Sequence, residues 1–129
     1  MGSAFETAVA VGCNGGLKVN QAAITYTRAG FDAVPMNATQ GKKLFKIQEP
    51  GKPVVIVQSV DFLIKVADLL IDETATEPAV YDEITRVFGT KKRIYKVLPM
   101  GKGIPIFDYL DTGHTVYRIH TKYDRIEDV

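Results

Sequence analysis

The segment VVIVQSVDFLIKVADLLI, Val54 to Ile71, constrains the fold more than any other part of the chain. It is the most apolar stretch, yet Asp61, Lys65 and Asp68 interrupt it, so it falls short of the ~18 uninterrupted apolar residues that suggest a bilayer span. Read with period two, Val60, Phe62, Ile64 and Val66 share one face, and Ser59, Asp61, Leu63 and Lys65 share the other. Read with period 3.6, Phe62, Val66, Leu69 and Leu70 form a helical stripe. The density of β-branched residues favours a strand through about Lys65, then a turn or short helix through ADLLIDE.

The surrounding sequence has the same alternating grammar. QAAITYTRAG is rich in β-branched and aromatic residues and stops at Ala29-Gly30. FDAVPMNATQG continues as an extended piece in which Pro35, lacking a backbone donor, points to an edge or a bulge. In KKLFKIQ, Leu44 faces away from Phe45 and Ile47. EPGKP reads as a loop, and DETATEPAVYDE as an acidic connection long enough to have a role of its own. EITRVFG, KRIYKVL, IFDYLD and HTVYRIHTKYD complete a set of six to eight strands.

Only the N-terminus reads differently. Ser3-Ala4-Phe5-Glu6 has the form of a capping box, Phe5, Val9 and Cys13 fall on one helical face, and Gly12, Gly15 and Gly16 end the pattern. The expected architecture is mainly β: a small β-barrel or sandwich with a short N-terminal helix and long loops. One domain over residues 1–129 is expected, with the helix at about 4–13 and the barrel at about 18–125. A chain of 129 residues suits this and can bury a core without staples.

Composition narrows the chemistry. A formal charge of +1 argues against a free-standing nucleic-acid binder, which normally carries a strong basic excess. The lone Cys13 can form no internal disulfide and has no basic neighbour to activate it. No basic stretch followed by an apolar core marks a signal peptide, so a cytoplasmic, membrane-free setting is expected. His114 and His120 are six residues apart, about 20 Å along a straight strand, so they do not share a metal ion with ~2 Å ligand bonds. GxSxG is absent, GCNGG lacks the Lys-Ser/Thr of a phosphate loop, and GKG at 101–103 reads as a hairpin tip. The carboxylate pairs Asp72-Glu73 and Asp82-Glu83 are adjacent residues, which point apart on a strand and are solvated on a loop. No catalytic, cofactor or metal site is expected.

The remaining signal is the distribution of charge. Basic residues gather late: Lys91, Lys92, Arg93, Lys96, Lys102, Arg118, His120 and Lys122. Acidic residues gather earlier: Asp72, Glu73, Glu77, Asp82 and Glu83. The first set is a candidate surface for DNA or a partner, the second a candidate inter-subunit loop. Several copies in a ring would concentrate a field that a single copy lacks.

The order of these pieces resembles the small phage and prophage proteins that join the DNA-filled head to the tail, called head–tail joining, head-completion or stopper proteins. The matching stretches are the helix from Ala4, ITYTRAG (24–30), QSVDFLIKVADL (58–69), YDEI (81–84), RIYKVL (93–98) and YRIHTK (117–122). Ser-x-Asp-Phe-Leu-Ile and Arg-Ile-His-Thr-Lys are the more specific parts. The resemblance implies a homo-oligomeric ring in the virion neck, assembled in the host cytoplasm. Portal or adaptor proteins would lie on one side and a tail terminator or tail tube on the other, with genomic DNA in the lumen. It implies no reaction and no cofactor. Tyr81-Asp82 stands where the pattern favours Gly-Asp, and a tyrosine takes a positive φ only at a cost. On this reading Tyr117 and Ile119 pack inward, while Arg118, His120 and Lys122 face a partner or DNA. A tail terminator or minor tail protein would look alike in composition. A host β-barrel binding single-stranded nucleic acid would instead use Tyr95, Tyr117 and Tyr123 as stacking platforms beside the basic residues.

Overall fold

The computed structural model describes residues 21–129. The expected helix at about 4–13 lies outside the described residues, as does Cys13. Nine strands are present among the described residues: β1 (Gln21–Thr27), β2 (Val34–Ile47), β3 (Val55–Lys65), β4 (Leu70–Ile71), β5 (Thr74–Ala75), β6 (Glu83–Phe88), β7 (Lys91–Val97), β8 (Phe107–Tyr109) and β9 (Val116–Asp128).

The main sheet has the order β3-β2-β1-β6-β7-β9-β8, with all neighbours antiparallel, and β3 also pairs with β9. That last pairing turns a mainly-β sheet into a closed circuit of six strands, with β8 laid beside β9. Along the closed part of the circuit, no open edge is left on which sheets associate without specificity. β4 and β5 form a separate two-residue hairpin.

The period-two reading of Val54–Ile71 holds: β3 ends at Lys65, and a single 3₁₀ turn at Val66–Asp68 leads into β4. Phe62 and Ile64 point into the core with Ile24, Tyr26, Ile84, Tyr95, Val97, Tyr117 and Ile119. Phe62 meets Tyr95 edge to face, with centroids 5.2 Å apart. The aromatic contact adds to the burial that drives closure.

The extended piece and KKLFKIQ prove to be one strand. β2 pairs with β1 through Val34–Thr39 and with β3 through Thr39–Ile47. Pro35 sits where only the β1 side is paired, so its missing donor is tolerated as at an edge. His114 does not share a strand face with Val116 and Arg118; it lies in the turn before β9, with φ 57°. Asp111 shapes that turn by accepting hydrogen bonds from the Thr115 and Val116 amides and from the Thr115 hydroxyl.

Candidate functional site

The two most specific stretches of the sequence meet in space. Val60 to Leu63 pairs with Arg118 to Thr121, so that Asp61 lies opposite His120 and Phe62 opposite Ile119. Strand alternation sends Phe62 and Ile119 into the core and Asp61 and His120 to the outer face of the sheet. That outer face is covered. Phe45 meets the His120 ring edge-on at 5.0 Å, and the His120 amide donates to the Ile106 carbonyl.

Asp61 is fully buried and heavily satisfied. It accepts from the Ser59 hydroxyl at 2.5 Å, from Arg118 Nε at 2.5 Å and from His120 Nδ1 at 2.9 Å. Burial pushes the Asp61 carboxyl up, but the hydrogen bonds from His120, Ser59 and Arg118 outweigh it and hold the carboxyl below the ordinary carboxylate value. The other His120 nitrogen, Nε2, lies 3.3 Å from Asp108 Oδ2. His120 therefore ties β8 to β3 across β9.

Ser59, Asp61 and His120 are the residue types of a hydrolytic triad, but their wiring differs from one. The serine hydroxyl donates to the carboxylate rather than to the imidazole, and all three side chains are buried. The arrangement fastens strands together.

A second buried carboxylate fastens the acidic connection. Asp82 accepts from Tyr26 Oη at 2.5 Å, from Arg28 Nε at 3.0 Å and Nη2 at 2.7 Å, and from the Ala79 amide at 3.0 Å. Arg28 also donates to the Glu77 carbonyl at 2.8 Å. Burial, and then the bond to Asp82, push the Tyr26 phenol well above its ordinary value, so it stays a donor. Tyr81 adopts φ 75°, the glycine-like conformation in question. Its amide donates to the Val97 carbonyl, and Asp82 beside it is held by four hydrogen bonds, so the surroundings impose the strain.

The expected basic surface is rearranged by this geometry. His120 is buried and faces neither a partner nor DNA, because β8 and Phe45 cover the face to which it points. Arg118 is committed to Asp61 and to the Lys42 carbonyl. Lys91 pairs with Asp128, Lys92 with Glu127 at 3.7 Å, and Lys96 with Asp124 at 3.9 Å, since β9 runs antiparallel beside β7. Arg93 and Arg86 lie over the Phe88 ring, each at 4.7 Å. Arg93, Lys102 and Lys122 remain exposed, outside the ion pairs found among the described residues.

The acidic set divides in the same way. Asp82 is buried, and Glu83 receives Arg125. Asp72, Glu73 and Glu77 are exposed. Asp72 and Glu73, with φ 54° and 61°, form the two-residue tip of the β4–β5 hairpin.

Sequence reasoning missed Lys42, Lys43 and Lys46, which are exposed on a projecting part of β2. The signal was present as the alternation in KKLFKIQ. Its meaning depended on β2 outrunning its neighbours, a property of the register. Among the described residues no three His, Cys, Asp or Glu side chains are grouped to hold a metal ion, and no helix is long and apolar enough to cross a membrane.

No curated protein and no solved structure matches the chain. A family match covers residues 7–128, nearly the whole chain, under the description phage head-tail joining protein. The resemblance read from the order of the strands agrees with it. The chain belongs to the phage head-tail joining protein family, whose members have a structural role at the interface between phage head and tail.

Proposed function

We propose that this chain is the single-domain subunit of a homo-oligomeric ring in the virion neck. Portal or adaptor proteins lie on its head side and a tail terminator or tail tube on its tail side, and genomic DNA passes through the lumen. Family membership across residues 7–128 is the observation that carries this reading. The geometry is consistent with it: Asp61, His120 and Asp82 are spent on holding strands together, and the exposed charges are left for contacts between molecules. Arg93, Lys102 and Lys122 are the members of the basic set left to face DNA or a neighbour. Asp72, Glu73 and Glu77 are the members of the acidic set left to face an adjacent subunit.

The test is electron microscopy of lysates from a phage or prophage lacking the gene. Packaged heads beside finished, unattached tails are the expected result. Abnormal tails beside normal heads would move the subunit to the tail end. Intact virions in normal numbers would overturn the joining role.

A further inference from the structure

β2 and β3 outrun the barrel. β2 pairs with β1 only as far as Thr39, and β3 pairs with β9 only from Val60 onward. Between them, residues 40–59 form a two-stranded ribbon whose outer edges carry no strand partner among the described residues. One ribbon face is covered: Phe45 packs on His120, and Gly101 abuts Ile47 so closely that a Cβ there would lie 2.5 Å from its Cδ1. The other face is bare. Leu44 is 65% exposed and Ile56 63% exposed, with Val54 also exposed towards the tip. A two-stranded ribbon in water is marginal alone, and a bare apolar face on one marks an interaction surface. Lys42 and Lys46 alternate with Leu44 on this face, while Lys43 reaches over the Phe45 ring on the covered side; none of the three enters an ion pair among the described residues.

The opposite end of β3 carries the complement. From Val66 to Val80 there is no Lys or Arg, while Asp68, Asp72, Glu73 and Glu77 are all exposed and enter no ion pair among the described residues. Exposed Leu70, Val80 and Tyr81 lie in and beside this stretch. The two ends of β3, Val55 and Lys65, are about 33 Å apart at the usual rise per residue. A protomer's ribbon therefore cannot reach its own acidic end.

We propose that the basic, apolar β2–β3 ribbon of one copy docks on the acidic, apolar 66–81 end of the next copy. This rests on the ring reading above and identifies the contact that builds the ring. The contact joins two different surfaces, so it repeats from copy to copy and closes when the rotation between copies allows. Charge sets the orientation, because ribbon against ribbon, or acidic end against acidic end, opposes like charges.

The test uses full-length chain in assembled particles, with Cys13→Ser as background. Particles carrying both Ile56→Cys and Val80→Cys are treated with a short bis-maleimide. A denaturing gel showing a ladder of dimer, trimer and higher species is expected. Particles carrying either cysteine alone should give no ladder. In parallel, Lys42→Glu with Lys46→Glu should lower the yield of joined particles at least about tenfold, through like-charge opposition at the contact. Adding Asp72→Lys and Glu73→Lys to the same chain should restore it. Monomer alone on the gel with unchanged yield, or a crosslink to another neck protein in place of the ladder, overturns the proposal. In both cases the joining role stands. Joined particles that form normally without the gene overturn the joining role itself.

Discussion

The most informative residues are the two buried carboxylates. Asp61 titrates below the ordinary aspartate value in the folded protein, so the unfolded chain takes up its proton first on acidification. Its contribution is complete above the ordinary value of ~3.9 and is lost as pH falls through the lower, folded value. Unfolding followed by denaturant at several pH values should show stability rising with pH in that acid window. Asp61→Asn should flatten the rise and lower stability at neutral pH by about 3 kcal/mol, because Arg118 and His120 lose their partner. Parallel pH profiles for the two proteins would contradict this. Asp82→Ala should cost roughly 3 kcal/mol by the same logic, since it strips Tyr26, Arg28 and the Ala79 amide of one acceptor. Tyr81 gives the opposite sign. Its side chain is 70% exposed and its φ is positive, so Tyr81→Gly relieves about 1–2 kcal/mol of strain against a smaller entropic loss. A denaturation midpoint above that of the wild type is expected, and a lower midpoint would show that the ring makes contacts worth keeping.

At the scale of elements, the sequence was most legible where alternation and burial agree. The end of β3 at Lys65, the inward set Tyr117 and Ile119, and the opposite facing of Leu44 and Phe45 all follow from period two. Alternation failed where the outer face of the sheet is also covered. Asp61 and His120 occupy positions that read as solvent-facing, and only the β3–β9 register and the β8 segment reveal why they are buried. The ion pairs between β7 and β9 were hidden for a related reason: Lys91 and Asp128 are far apart in sequence but opposite in register. The same closure makes Phe62 a sensitive position. Phe62→Ala removes a fully buried ring at the strand that closes the barrel, and a loss of about 3–5 kcal/mol in denaturant unfolding is expected. A loss under ~1 kcal/mol would show that the β3–β9 seam contributes little to stability.

At the scale of the whole molecule, a chain with a net charge of only +1 separates its exposed charges: a basic ribbon stands at one end of β3 and an acidic hairpin at the other. Such a molecule gains a strong field only by repetition, which suits a subunit of a neck ring better than a lone binder. On the proposed function, copies of this barrel form a closed ring between head and tail. Cryo-electron microscopy of the neck in intact virions tests it most directly. A ring of identical barrels is expected, each β2–β3 ribbon seated on the 66–81 end of its neighbour. A neck in which the barrel is absent, or is present as isolated copies that do not touch one another, would contradict it.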